Sequence, residues 1–125
     1  ERRIERVIRN LVVNGIEHAD GAPVTIALAA TETDVACRVR DRGVGMTQEV
    51  ADHVFDRFYR ADTARARTTG GTGLGLAIAT EDVAIHGGRL QAYGEPGRGA
   101  SFLMTLPKRA GEEIVSRPLA LWEDE

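Results

Sequence analysis

The feature that most constrains this chain is Gly70-Gly71-Thr72-Gly73-Leu74-Gly75-Leu76, which runs without a break into Ala77-Ile78-Ala79. Four glycines in six residues open directly into an apolar stretch of helical character. A helix start leaves backbone N–H groups unpaired and carries a partial positive charge, and both draw phosphate. Glycine removes the Cβ atoms that would hold a phosphate away from those groups. A helix preceded by a flexible turn fits the stretch equally well when it is taken alone, so the rest of the chain has to decide.

At 125 residues and 13.5 kDa the chain is sized for one domain, and its 42% apolar residues are enough for an ordinary core. Sixteen basic residues against nineteen acidic ones give a net charge of −3 and no sign of nucleic-acid binding. All the basic residues except Lys108 are arginine, whose planar fork suits phosphate, although a GC-rich genome produces the same bias. The single cysteine, Cys37, excludes an internal disulfide and sits in an apolar stretch where a buried thiol is expected. There is no signal peptide and no apolar run of membrane-spanning length. The chain opens at Glu1-Arg2-Arg3, mid-helix and without Met, which reads as a piece of a longer protein.

Residues 1–19 form an amphipathic pattern, with Ile4, Val7, Ile8, Leu11, Val12 and Ile16 at helical spacing. Asn10, Asn14 and His18 recur every fourth residue on an adjacent stripe; solvated polar residues would give the same pattern. A turn at 20–23 leads into two alternating stretches, 24–30 and 35–39, read as antiparallel strands joined near 31–34. The second strand runs into Asp41-Arg42-Gly43-Val44-Gly45-Met46, either a plain turn or a buried acceptor with close backbone approach beside it. Thr47 caps a short helix over 48–54. Phe55-Asp56-Arg57-Phe58-Tyr59-Arg60 then gathers three of the chain's six aromatic residues. Residues 61–72 read as a mobile loop carrying Arg65 and Arg67, and 61–70 are expected to be poorly ordered without nucleotide. A helix over 74–85 stops at His86-Gly87-Gly88. A closing hairpin follows, with strands at 89–93 and 100–106 around Glu95-Pro96-Gly97-Arg98-Gly99, and Pro107 ends the sheet. Residues 108–125 are a loosely patterned tail whose Leu119, Leu121 and Trp122 would dock either on the domain or on a partner.

Taken in order, the paired asparagines, the Asp-x-Gly-x-Gly box, the aromatic–arginine cluster and the Gly-Thr-Gly-Leu-Gly-Leu helix start resemble the ATP-binding catalytic domain of bacterial sensor histidine kinases. That family belongs to the Bergerat (GHKL) ATPase superfamily shared with gyrase B, Hsp90 and MutL. The resemblance covers residues 1 to about 107, and the wording is most like that of actinobacterial membrane sensors. It implies a two-layer α/β sandwich, with a mixed, mostly antiparallel sheet and helices on one face. The rival glycine signatures fail: there is no Gly-x-x-x-x-Gly-Lys-Ser/Thr, and glycines at 71, 73 and 75 do not make Gly-x-Gly-x-x-Gly.

The resemblance also assigns roles. It makes Asn14 the Mg²⁺ ligand, since Mg²⁺ takes oxygen and needs few protein ligands when phosphates supply the rest. Asn10 stands where hydrolysing relatives place a glutamate base; an amide cannot activate water, which suits transfer to a histidine whose imidazole attacks with its own lone pair. His18 is assigned to nucleotide contact, and Glu17 replaces a basic residue common in relatives. Asp41 accepts from the exocyclic amine of adenine, a donor where guanine presents an oxygen, while Gly43 and Gly45 let the base lie against the backbone. Arg42 replaces an Asn or Thr common after the aspartate. Arg60 reaches the γ-phosphate. The run Gly71, Thr72, Gly73, Leu74, Gly75 and Leu76 binds the phosphates, with Leu76, Ile16 and Ile78 as pocket walls. Ala100 stands where relatives carry a hydroxyl near adenine, with Ser101 one place late, so modest ATP affinity is expected.

The phosphoacceptor histidine is expected upstream, because His18, His53 and His86 lack its sequence context. The implied partners are therefore the dimerisation and phosphotransfer domain of the same protein, a response regulator and, in the parent, a second copy. The implied setting is a cytoplasmic domain of a membrane sensor. Two other readings stand beside this one: a GHKL serine kinase of the anti-sigma type, which the aromatic–arginine box and long loop disfavour, and a non-catalytic nucleotide-sensing module.

Overall fold

The computed structural model describes residues 2–19, 21–55, 75–109 and 111–122. The chain order is helix α1 (Arg2–Ala19), strands β1 (Val24–Ala30) and β2 (Asp34–Asp41), helix α2 (Gln48–His53), helix α3 (Gly75–Ile85), then strands β3 (Arg89–Glu95) and β4 (Gly99–Pro107). The strands form one sheet in the order β1-β2-β4-β3, and all three pairings are antiparallel. The two hairpins thus meet at the centre of the sheet, β2 beside β4, with each hairpin supplying one outer strand.

The sheet's period-2 alternation decides its two faces. Cys37, Val39, Ala100, Phe102 and Met104 are buried in one cluster with Val7 and Leu11 of α1, Ala51 of α2, and Ala79 and Val83 of α3. Each large apolar side chain fully buried in this way contributes roughly 1.5–3 kcal/mol. Of the helices on this face, α1 and α3 are tied by Arg6: its Nη2 and Nε donate to Asp82 Oδ2 of α3 at 2.8 and 3.2 Å. Asp82 is 3% exposed, so this guanidinium offsets the desolvation of a buried carboxylate.

Local chemistry sets the helix ends. The Thr47 hydroxyl accepts from Val50 N at 3.3 Å and caps α2. At the end of α3, Gly87 takes a positive φ of 74°, its N–H donates to the Ala84 carbonyl, and Gly88 N–H donates to the Val83 carbonyl. These paired bonds satisfy carbonyls that the helix leaves open. Phe55 packs edge-on against Phe102, ring centres 6.1 Å apart, and so fixes the described end of the aromatic box to the core.

Strand β2 extends further than its apolar residues indicate, from Asp34 through Asp41, and most of it is buried whichever way its side chains point. The reason is the tail. Residues 115–122 run along the face opposite the helices. Asp34 Oδ2 accepts from the Val115 and Ser116 amides and from the Ser116 and Thr33 hydroxyls. Arg38 donates to the Ala120 carbonyl, and Ser101 Oγ donates to that of Leu121 at 2.6 Å. These bonds hold the Asp34 carboxyl below the usual aspartate range, the Ser116 hydroxyl contributing most.

Candidate functional site

Asp41 ends β2 on the face that carries Cys37 and Val39, beneath α1. It is 1% exposed. Its Oδ1 accepts from the Gly43 amide at 3.0 Å and the Ala100 amide at 3.3 Å. Its Oδ2 is buried and meets no hydrogen-bond donor among the described residues. Buried acceptors are nearly always paired, so this oxygen, like Asp34 Oδ1 on the opposite face of the sheet, is open to a donor from outside the chain.

Asn14 reaches the same seam from α1. Gly15 lets the helix approach the sheet closely: a Cβ built there would lie 3.3 Å from Val39 Cγ1 and 3.5 Å from Val24 Cγ1. Val24 is the register partner of Asp41, and Val39 is two residues before it. Asn14, beside Gly15 and on the stripe of Val7 and Leu11, has a buried amide nitrogen without a partner among the described residues. Exchange of the amide's O and N positions is a rotation about its last torsion, so either atom can be offered to a ligand. Two bare polar atoms, one on α1 and one on β2, thus occur in the one layer between helix and sheet. Asn10 lies one turn before Asn14 and is half-buried.

The loop after Asp41 is shaped by its neighbours. Gly45 has φ 76°, and a Cβ on it would collide with the Glu95 carbonyl. Val44 O accepts from Gly97 N at 2.9 Å, which ties the loop to the β3–β4 turn. Gly45 is therefore demanded by this packing, a reason that sequence spacing alone did not supply; Gly43 contributes its amide to Asp41. Arg42 is exposed.

Other expected positions divide into three groups. The backbone of Gly75 and Leu76 forms the first turn of α3. Arg60, Gly71, Thr72, Gly73, Leu74 and the 61–70 loop lie outside the described residues, as do the side chains of Glu17, His18 and Leu76. Ile16 departs from the expected pocket wall. It follows Asn14 by two positions, about 200° round the helix at 100° per residue, and is 60% exposed. Ile78 is 37% exposed. Ser101 faces away from Asp41 and gives its hydroxyl to the tail, while Ala100, in register with Asp41, supplies only backbone. Cys37 is buried as expected, and burial pushes its thiol pKa up. Asp34, Arg40 and Asp82 are buried charged groups that sequence reasoning missed; for Asp34, a carboxylate at the head of an apolar strand was the only signal.

Residues 1–110 match the family of histidine kinase-, DNA gyrase B- and HSP90-like ATPases, and the chain belongs to that family, as an ATP-binding domain of the histidine-kinase kind. Among known proteins it is 52% identical over 120 residues to the sensor histidine kinase MtrB of Mycobacterium tuberculosis, covering 96% of this chain and 21% of that one. It is 40% identical over 114 residues to the sensor histidine kinase WalK of Bacillus subtilis, covering 89% of this chain and 19% of WalK. The chain therefore spans about a fifth of the length of these curated relatives. Among solved structures, the mycobacterial sensor histidine kinase MprB superposes with TM-score 0.72 at 27% identity, over 87% of this chain and 72% of that one. Full-length ShkA in complex with AMPPNP superposes equally well, over 87% of this chain and 22% of ShkA. No described helix is long and apolar enough to cross a membrane.

Proposed function

We propose that this chain binds Mg²⁺·ATP and delivers the γ-phosphoryl group to a histidine on an upstream dimerisation domain of its own protein, for relay to a response-regulator aspartate. In this reading residues 1–107 are the nucleotide-binding domain and 108–125 its tail. The parent is a homodimeric membrane sensor of which this is a cytoplasmic part.

The observation that carries the proposal is the bare buried oxygen of Asp41 facing the layer that holds Asn14. Adenine offers an amine donor to such an oxygen, and guanine offers an acceptor that it repels. The donor set also fits a phosphate-bound cation: the Asn14 amide has a buried atom open to a ligand, and a neutral oxygen suits a cation that draws its other ligands from phosphates and water. Mg²⁺ would be held by the Asn14 amide oxygen and the phosphates, and when bound it supplies neutralisation of phosphate charge. The chain's own residues position the nucleotide: Asp41 fixes the base, and the α3 start, with the glycines and Arg60 before it, cradles the phosphates. Asn10 offers no base to water, which favours a partner histidine as acceptor. Catalysis of this kind is positioning and charge stabilisation.

Calorimetry with Mg²⁺ and a non-hydrolysable ATP mimic tests binding. Asn14→Ala in the full-length kinase is expected to abolish transfer of labelled phosphate, and retained autophosphorylation would refute the metal role. The serine-kinase and nucleotide-sensor readings gain nothing from the relatives, which are named sensor histidine kinases. Acid-labile, base-stable phosphate on the upstream domain would exclude both.

A further inference from the structure

The tail crosses the sheet on the reverse side of the nucleotide layer, directly behind Asp41. Register fixes the placement. Asp41, Ala100 and Gly94 form one row across β2, β4 and β3; Arg40, Ser101 and Tyr93 form the adjacent row. The first row faces the helices and contains the carboxylate with one bare oxygen. The second faces the tail, and every member of it is in contact with tail residues 121–122. Ser101 Oγ donates to Leu121 O at 2.6 Å. The Trp122 ring lies with the Arg40 guanidinium carbon 3.8 Å from its centre, and Tyr93 meets it edge-on at 5.0 Å. Arg40 is 5% exposed, so the cation is largely desolvated against the ring, where such contacts are strongest.

A second route reaches the same loop. Arg98 lies 5.9 Å from the Trp122 ring centre and pairs with Glu95 at 2.8 Å. Glu95 also accepts from the Tyr93 hydroxyl. This turn of the β3–β4 hairpin grips Val44 through Gly97 N. The tail thus holds both anchors of the Asp41–Gly45 loop: the strand residues next to Asp41 and Ala100, and the turn on which Gly45 rests.

We infer that Trp122, with the Leu121 carbonyl, is a positioning element for base recognition, clamping Arg40, Ser101 and the 95–99 turn so that Asp41 presents its free oxygen in one orientation. This rests on the reading of Asp41 as the adenine acceptor and goes beyond it, assigning specificity to a segment on the opposite face of the sheet. Contacts of this kind modulate binding at a distance through packed elements. Releasing the clamp allows Asp41 to turn, which weakens adenine recognition more than it weakens grip on the triphosphate.

The test uses the full 125-residue chain with Mg²⁺, measuring ATP and GTP affinities by displacement of a fluorescent adenine nucleotide, with melting temperature alongside. Trp122→Ala is expected to weaken ATP about three- to tenfold while GTP changes less, so that the ATP/GTP ratio falls; Trp122→Phe, which keeps a ring face for Arg40, restores it. Ser101→Ala removes a single hydrogen bond and should lower the ratio in the same direction without unfolding the chain. A lowered melting temperature with an unchanged ratio in both variants overturns the proposal and leaves the tail a purely structural strap. Asp41→Asn separates this failure from failure of the base-recognition reading: if it leaves ATP affinity unchanged, both fall; if it weakens ATP while the tail variants do not alter the ratio, only the clamp falls.

Discussion

Replacing Asp41 by Asn isolates what the site asks of this side chain. The substitution keeps the size and keeps one carbonyl oxygen for the Gly43 and Ala100 amides, at 3.0 and 3.3 Å from the present Oδ1. It replaces the bare, buried Oδ2 with an NH₂ group. In the proposed reading an amine donor on the base then meets a donor in place of an acceptor. A hydrogen bond to a charged group contributes about 1.5–3 kcal/mol, so ATP affinity should fall roughly 10- to 150-fold at 1.4 kcal/mol per factor of ten. Two further outcomes separate this from general damage. The empty domain should melt at the same temperature or higher, because a carboxylate without a partner for one oxygen is no longer held out of water. The gap between ATP and GTP should narrow, because the new NH₂ can donate to the guanine oxygen. Calorimetry with both nucleotides and a thermal melt are sufficient. An Asp41→Asn protein that binds ATP as tightly as the parent would refute the assignment, whatever its stability.

Other consequences follow from the same contacts. Gly45→Ala adds a Cβ at φ 76° against the Glu95 carbonyl; it should cost at least about 2 kcal/mol and lower the melting temperature by roughly 8 °C or more, read by calorimetric scanning. Arg6→Ala removes the Arg6 guanidinium from Asp82, which is 3% exposed; a loss of about 1–2 kcal/mol is expected, and denaturant titration measures it. The Asp34 carboxyl is held below its ordinary value by its tail partners. The ionised form is thus favoured in the folded state, and its contribution is present above the ordinary aspartate value of about 3.9. That contribution is lost as pH falls through the lower folded value. Trp122 fluorescence should report tail release on acidification, and Asp34→Asn should release the tail near neutral pH.

The inward face of this fold could be read from the chain because its residues obey simple periods. Val7, Leu11 and the paired asparagines recur at helical spacing, β1 and β2 alternate, and the Gly87-Gly88 stop is visible as a dipeptide. The outward face could not. Asp34, Arg38 and Arg40 alternate with apolar residues and look like the solvated side of an ordinary antiparallel strand. The tail that covers them has no period of its own, since it binds mostly through backbone carbonyls at 120 and 121 and backbone amides at 115 and 116, with one hydroxyl, Ser116, and one ring, Trp122, beside them. Carbonyl and amide groups are the same at every residue and leave no mark in a sequence. Gly45 shows the same limit from the other side: its type suggested close approach of a ligand, and the group that approaches is the carbonyl of Glu95.

Strand parity explains how one segment can serve both faces. A shift of one residue along a strand carries a side chain to the opposite side of the sheet. Ser101 therefore cannot stand in for a hydroxyl at position 100, however near it lies in sequence, and its bond to Leu121 confirms where it points. The inward position is Ala100, which gives Asp41 only its amide. The outward hydroxyl is free to hold the tail because the inward position does not use one. Parity also separates the charges: Asp41 turns inward with one oxygen bare, and Arg40, its neighbour in the chain, turns outward onto Trp122. Had the two shared a face, the guanidinium would have paired with the carboxylate and filled the acceptor on which the proposed base contact rests. The covered outer face keeps Arg40 occupied and leaves the inner oxygen open.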